Sequence, residues 1–299
     1  MRSKSIVFLA LTFALSWGVA IGGWALGAAD GQITTLVVLV GMMCGPAVAA
    51  TLCAFAFEEG NRAGALGLRF RPNRWWPLAY LTALALGALS VAATLVLSDR
   101  TLADVGGNAL AAAERAGADV SALRGRPYFS ALIFAQSLVI GAAFNSVALT
   151  FTEELGWRGY LHGLWRPAGF WRASLGTGLV WGVWHAPAIG LFGHNYPDHR
   201  ALGVGLFVLF CTLLSPLMTL VRERGRSVFA AGILHGTINA IGGLTVMTLS
   251  SPDFPWNGLV GIGGYIALAA GVGVVAWLQP RAEPGRAVED LDGLRRIGE

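Results

Sequence analysis

Charged residues are scarce in this sequence of 299 residues, because they make up 13% of the chain while hydrophobic residues make up 55%. Mean hydropathy is correspondingly positive, at +0.61. The apolar residues come in blocks of roughly twenty, which is the length that an α-helix needs to cross a bilayer. The composition therefore predicts an all-α polytopic membrane protein whose main surroundings are the lipid bilayer.

Cysteine is also rare, and the three cysteines Cys44, Cys53 and Cys211 fall inside apolar segments without C-x-x-C spacing. They indicate small buried side chains and do not define a redox compartment. The net charge of +4 would suit a nucleic-acid partner. No cluster of basic residues is interleaved with aromatic residues, however, so the sequence predicts no nucleic-acid binding. Internal repeats, a phosphate-binding glycine loop and a second soluble domain are not evident either.

Eight apolar segments predict membrane spans, which place residues 1–279 in a single integral-membrane domain. Residues 280–299 alternate arginine with acidic residues and contain few large apolar side chains. Such a segment cannot bury enough surface to fold alone, so it is predicted to be a solvated, partly disordered tail. The predicted spans are approximately 5–28, 34–57, 76–97, 128–152 with a helical extension, 173–192, 201–221, 227–249 and 258–278.

The distribution of lysine and arginine predicts the orientation of these spans, since short cytoplasmic loops hold an excess of both. With the N-terminus inside, fifteen basic residues lie on the cytoplasmic side and five lie outside. Both termini are therefore predicted to be cytoplasmic. Arg2 and Lys4 precede an apolar run that could pass for a signal peptide, but its length and the Gly23-x-x-x-Gly27 pattern favour an uncleaved helix.

Glu153, Glu154 and Arg158 follow the fourth apolar segment directly. Ionisable groups at membrane depth are costly, so they usually face a cavity lined by protein and have a function. On a continuing helix, Arg158 lies one turn beyond Glu154, at the spacing where side chains meet. An arginine there would hold one carboxylate ionised and leave the other available.

Two further clusters lie within later spans, Trp181-x-x-x-His185 in the fifth and His235-x-x-x-Asn239 in the seventh. At helical rise, His185 and His235 lie roughly 20 Å and 12 Å from the cytoplasmic starts of their spans. Both depths are within the membrane and can be reached from inside. The three clusters are therefore predicted to share a membrane-embedded polar cavity.

Each cluster also has a structural explanation. A single histidine in a helix is more often a packing residue than a catalyst, and an acidic pair at the end of a span is often an interfacial cap. Glu58-Glu59 ends the second span without further pattern, and we interpret it as plain surface. His194, Asp198 and His199 share an outer loop that could bind a metal, although a solvated turn is favoured.

The combination of the three clusters resembles the CPBP family of intramembrane proteases, which includes the CAAX prenyl endopeptidases and the bacterial bacteriocin-processing and immunity-type (Abi) proteins. The family pattern is E-E-x-x-x-R, then F-x-x-x-H, then H-x-x-x-N. Trp181 stands where the family usually has phenylalanine. The six matching positions are Glu153, Glu154, Arg158, His185, His235 and Asn239.

The resemblance implies an intramembrane endopeptidase that acts on a membrane-associated peptide, a membrane protein or a prenylated CAAX-like peptide. It implies that Glu153 is the general base that activates a water, and that His185 positions the same water. Glu154 and Arg158 would shape the site. The catalytic core would cover residues 128–249, and the motif context is that of bacterial members, which implies a bacterial plasma membrane.

The resemblance further implies that His235 and Asn239 stabilise the oxyanion of the tetrahedral intermediate. Whether a metal takes part stays open at this point. Glu153, His185 and His235 are also a common zinc-ligand set, with water in the fourth position. No H-E-x-x-H motif is present, so a glutamate mechanism without a cofactor is favoured over zinc.

Two functions of other classes remain as alternatives. The first is a non-catalytic membrane scaffold or bacteriocin-immunity protein on the same fold, although a scaffold has no need for every motif position. The second is a transporter that uses the buried ionisable groups as a proton relay. The sequence shows no inverted repeat and no paired broken helices of the kind that transporters use.

Overall fold

The computed structural model describes residues 2–279, so the predicted tail 280–299 lies outside the described residues. The chain folds as an all-α bundle. Its helices are α1 (Arg2–Ala25), α2 (Gln32–Met43), α3 (Gly45–Phe57), α4 (Arg62–Ala65), α5 (Trp75–Leu97), α6 (Val105–Arg115), α7 (Phe129–Ala168), α8 (Phe170–Trp184), α9 (Ala186–Gly190), α10 (Arg200–Arg224), α11 (Val228–Met247) and α12 (Ile262–Leu278).

Six helical segments within residues 2–279 are long and apolar enough to cross a membrane: α1, α2 together with α3, α5, α7, α10 and α11. The prediction of an all-α polytopic membrane protein is therefore confirmed. The other two predicted spans correspond to shorter elements. The fifth is divided between α8 and α9, and the eighth is α12, which has 17 residues. The count of eight crossings stays a prediction.

Helix α7 is 40 residues long, and both its helix type and its burial change along its length. Over Thr150–Leu161 it is a π-helix, in which each backbone N–H bonds to the carbonyl five residues earlier. The part of α7 that precedes this segment is largely exposed on the outside of the bundle, whereas the residues from 153 to 162 are all buried. A shorter π-helical stretch covers Gln136–Gly141, and the longer one coincides with the acidic motif.

Two glycines let α8 lie directly on the backbone of α10. A Cβ atom at Gly178 would come within 2.8 Å of the Cys211 carbonyl oxygen, and one at Gly182 within 2.5 Å of the Val208 Cα atom. Small residues one turn apart permit this approach in membrane helices, where packing rather than water exclusion joins the helices. This contact fixes the position of Trp181, which lies between the two glycines in sequence.

A second pair of glycines lets α11 pack closely against α7. A Cβ atom at Gly232 would overlap the Thr150 hydroxyl, and one at Gly236 would overlap the backbone of Ser146. Because the two glycines are one turn apart, this face of α11 approaches the helix that carries the acidic motif. His235, next to Gly236, is thereby brought to the depth of the carboxylates.

Helix α1 packs as part of the bundle. Phe8 is fully buried, with its ring centroid 6.0 Å from that of Trp157 and 5.6 Å from that of Tyr160, both on α7. The Trp17 indole donates a hydrogen bond of 3.0 Å to the Trp184 carbonyl at the end of α8. The first helix therefore contacts α7 and α8, two of the helices that contribute to the acidic site.

The close contact between α11 and α7 makes a first prediction. Gly236→Ala should lower the thermal unfolding temperature in detergent, because the added methyl overlaps the Ser146 backbone and overpacking costs about 1–3 kcal/mol. Gly242→Ala on the same helix is the control, since its Cβ meets no atom within 4 Å. This control should leave the unfolding temperature unchanged or raise it. Equal destabilisation by both changes would contradict the packing.

Candidate active site

Three charged side chains of the π-helical segment are almost completely shielded from solvent. The exposed fractions are 2% for Glu153, 0% for Glu154 and 1% for Arg158. Arg158 Nη1 lies 3.3 Å from Glu154 Oε1, so the pair expected from the i,i+4 spacing is formed. The arginine is thus assigned to Glu154 and not to Glu153.

His235 reaches the same carboxylate oxygen from α11. Its Nδ1 lies 2.9 Å from Glu154 Oε1. An ionised carboxylate only accepts hydrogen bonds, so this contact assigns the proton to Nδ1 and leaves Nε2 for another partner. Glu154 is therefore engaged by two side chains from two helices.

Glu153 has a different environment, because a neutral donor contacts it. The Trp181 indole Nε1 donates a hydrogen bond of 2.9 Å to Glu153 Oε2. The Trp181 ring also covers Arg158, whose Cζ lies 4.3 Å from the ring centroid. Among the described residues no donor reaches Oε1 of Glu153. One oxygen of this carboxylate is held, and the other is open to a ligand.

His185 lies at a break between α8 and α9, which corrects the expectation that it sits midway along one continuous helix. Its backbone N–H bonds to the Gly182 carbonyl at 3.1 Å and leaves the Trp181 carbonyl free. His185 Nδ1 donates to that carbonyl at 2.8 Å. Pro187 follows in the next turn and cannot supply the N–H that would continue the helix.

The hydrogen bond of His185 also assigns its tautomer. A carbonyl oxygen only accepts, so Nδ1 carries the proton and neutral His185 presents Nε2 as an acceptor. The rings of Trp184 and Phe207 flank the imidazole, each with its centroid 4.7 Å away. The ring orientation is therefore fixed on both sides.

Asn239 is not brought into contact with the other predicted residues. It lies one turn beyond His235 on α11, its side chain is exposed, and within residues 2–279 it makes no side-chain hydrogen bond. The structure thus gathers Glu153, Glu154 and Arg158 with His235 and, through Trp181, His185. Asn239 stands at the margin of this cluster.

Two contacts of Arg158 were not predicted from the sequence. Its Nη2 lies 3.4 Å from the Ser215 hydroxyl, which itself donates to the Ser174 carbonyl at 2.6 Å. Arg222 Nε donates to the Arg158 carbonyl at 2.8 Å. Ser215 and Arg222 belong to α10, which therefore holds the arginine from a third side. The sequence gives no signal for these contacts, since the partners are far apart in the chain.

The interpretation of Glu58 as plain surface was wrong. Glu58 Oε1 accepts hydrogen bonds from Lys4 Nζ at 2.9 Å and from the Tyr160 hydroxyl at 3.2 Å. It therefore connects α1 to the motif helix α7. Glu59 is exposed, as expected. The partners of Glu58 are 54 and 102 residues away in sequence, so the pattern around it could not reveal them.

The zinc set that the sequence left open was Glu153, His185 and His235. Within residues 2–279, no three or more histidine, cysteine, aspartate or glutamate side chains are grouped so that they could hold a metal ion. This finding covers both that set and the outer-loop residues His194 and His199 with their neighbouring aspartate. The described side chains are thus not arranged as a ready metal site, and the participation of a metal stays a prediction.

A comparison with protein families matches residues 135–241 to the model described as type II CAAX prenyl endopeptidase Rce1-like. This segment of the chain is thus similar to the Rce1-like CAAX protease family. The Rce1-like segment begins in α7, ends in α11 and contains all six residues predicted from the motifs. This result supports the CPBP resemblance and points to an intramembrane peptidase. No curated protein matches the chain.

The buried pair of the Rce1-like segment makes a second prediction. Arg158→Met should destabilise the protein by about 3–5 kcal/mol, because it leaves a buried carboxylate without its main counter-charge. Arg124→Met is the control, since Arg124 pairs with Glu114 at the surface and its side chain is 64% exposed. Surface pairs contribute little to stability, so the control should behave like wild type.

The stability of both variants is measured by thermal unfolding in detergent. An Arg158→Met protein that is as stable as the Arg124→Met protein would show that the Arg158–Glu154 contact does not hold the site together.

Proposed function

We propose that this protein is an intramembrane endopeptidase in which Glu153 is the general base. The observation that carries the proposal is the difference between the hydrogen-bonding environments of two adjacent buried carboxylates. Glu154 is engaged by Arg158 and His235, whereas Glu153 accepts a single hydrogen bond from a neutral indole. Neighbouring carboxylates in contrasting environments commonly divide structural and acid–base roles. Glu154 Oε2 also lacks a hydrogen bond among the described residues, but it is fully buried, whereas Glu153 Oε1 is not.

The proposed reaction is the hydrolysis of a peptide bond by a water bound between Glu153 and His185. Such a water would donate one hydrogen to Glu153 Oε1 and the other to His185 Nε2, which is an acceptor in the tautomer assigned above. A lone pair of the water oxygen would then point at the substrate carbonyl. The division of roles is therefore base for Glu153 and positioning residue for His185.

The chemical step balances without a further reactant. Glu153 takes a proton from the water, the oxygen bonds to the carbonyl carbon, and the carbonyl oxygen becomes an oxyanion. When the intermediate collapses, the C–N bond breaks and the proton held by Glu153 passes to the leaving nitrogen. The water oxygen remains in the new carboxylate.

His235 and Asn239 are proposed to stabilise the oxyanion. The contact of His235 Nδ1 with Glu154 orients the imidazole, and a second proton, on Nε2, would make the ring an imidazolium that donates to the developing charge. The Asn239 amide is uncommitted by any hydrogen bond in the described chain, so substrate binding would have to bring it to the oxyanion. Glu154 and Arg158 hold His235 in place.

The proposed substrate is a peptide segment at the membrane, either of a membrane protein or of a prenylated CAAX-like peptide. The excess of basic residues on one side, fifteen against five, supports cytoplasmic termini and access from the inner leaflet. A bacterial plasma membrane is the proposed location. Residues 128–249 would form the catalytic core of a domain that extends over residues 1–279.

Replacement of the proposed base makes a third prediction. Glu153→Gln should reduce cleavage at least about 100-fold, because the amide cannot accept the proton of the water. Glu59→Gln is the matched control, since Glu59 is an exposed glutamate of the other Glu-Glu pair. Mass spectrometry of farnesylated and unmodified CAAX peptides, incubated with each purified variant, measures the product.

Two outcomes would count against the protease. Equal cleavage by wild type and by a folded Glu153→Gln variant would remove Glu153 from the chemistry. If the wild type cleaves no peptide, but the Glu153→Gln variant still supports the cellular role of the protein, a scaffold or immunity function on this fold would be left. Retention of fold is checked by the unfolding temperature in the same detergent.

The absence of a fitting ligand set for a metal makes a fourth prediction. Dialysis of the purified protein against a strong chelator should leave the rate of peptide cleavage unchanged, because the proposed steps use only side chains of the chain. The control is an identical dialysis without chelator. Loss of cleavage that added zinc restores would contradict the glutamate mechanism and favour the metal alternative.

A further inference from the structure

Trp181 occupies the centre of the candidate site, although no catalytic role is assigned to it. It is 2% exposed, and its ring contacts the arginine and both histidines of the motifs. Its centroid lies 4.3 Å from Arg158 Cζ, 5.6 Å from the His185 ring and 5.1 Å from the His235 ring. Its indole N–H bonds to Glu153 Oε2.

We infer that Trp181 is a positioning residue for the general base, which acts by donating its indole N–H to one oxygen of Glu153. The hydrogen bond turns the other oxygen toward the reacting water and favours the ionised carboxylate. Phenylalanine, the residue usual at this position in the CPBP pattern, has no hydrogen-bond donor in its side chain. This inference rests on the proposed function.

Other buried tryptophans show that burial of an indole does not by itself give its N–H a hydrogen-bond acceptor. Trp157 and Trp184 are 0% and 1% exposed, and the Nε1 atom of each is buried without an acceptor among the described residues. The bundle therefore accommodates buried indoles whose N–H is unused. At Trp181 the N–H is instead directed at the carboxylate that has no other donor.

The position of the indole is fixed by the backbone contacts described above. Gly178 and Gly182 hold α8 against α10, so the side chain between them cannot move away from α7 without opening that contact. The edge-on rings of His185 and His235 restrict it further. The donor is therefore held in place before substrate binds, which is what a preorganised site requires.

Removal of the indole N–H leaves the other ionisable groups around the Glu153 carboxylate unchanged. Helix α3 also packs against this segment, but its Cys53 and the following residue Glu58 lie next to Tyr160 instead. The ionisable groups that face the Glu153 carboxylate are Glu154 and Arg158 from α7, His235 from α11 and Cys211 from α10.

The test compares the pH dependence of kcat/KM for cleavage of a farnesylated CAAX peptide by wild type and Trp181→Phe. The base must be ionised to act, so losing a donor to the anion should move the acidic limb of the profile to higher pH. We expect a shift of about one pH unit, the size that one hydrogen bond to a charged group produces. Trp157→Phe is the matched control and should leave the acidic limb where it is.

A second variant separates the N–H from the shape of the ring. Incorporation of 3-benzothienylalanine at position 181 replaces the N–H by sulfur and keeps the bicyclic ring. It should reproduce the shift even if Trp181→Phe fails to fold. A profile that superimposes on that of wild type, in a protein that Glu153→Gln inactivates, would overturn the role of Trp181 alone. Full activity of Glu153→Gln would overturn the proposed function itself.

Discussion

The candidate site depends on the contacts that one carboxylate oxygen of Glu154 makes with two other side chains. Arg158 on the same helix and His235 on α11 both contact Glu154 Oε1, at 3.3 Å and 2.9 Å. Burying a carboxylate costs several kcal/mol unless opposite charges and donors compensate it. Because Glu154 has these partners, the adjacent Glu153 can remain without a counter-charge of its own. The difference between the two carboxylates follows from this arrangement.

Close helix packing makes that arrangement possible within a membrane. Helices in lipid gain nothing from excluding water, so they need small residues that let their backbones approach. Gly232 and Gly236 provide this where α11 meets α7, and Gly178 and Gly182 provide it where α8 meets α10. The first pair therefore sets the distance between Glu154 and His235, which lie 81 residues apart in sequence, and the second pair fixes the position of Trp181.

The sequence was sufficient to predict the helical bundle, most of the spans and the grouping of the charged motif residues, because membrane burial makes an isolated ionisable residue conspicuous. It could not predict the interruption at His185, where the backbone N–H bonds to the Gly182 carbonyl and leaves the Trp181 carbonyl to the imidazole. Nor could it predict that Glu58 joins α1 to Tyr160, since that contact exists only after three segments pack together. Asn239 matches the motif but lies exposed, and its side chain makes no hydrogen bond within residues 2–279.

The most direct test of the hydrolytic account is to follow the oxygen of the attacking water. Wild-type protein in ¹⁸O-labelled water should, in a single turnover, release a peptide product with one ¹⁸O atom in its new C-terminal carboxylate. The leaving amine should carry no label. A product whose new carboxylate lacks the label, or no cleavage of any membrane-associated peptide, would contradict a site in which Glu153 activates water.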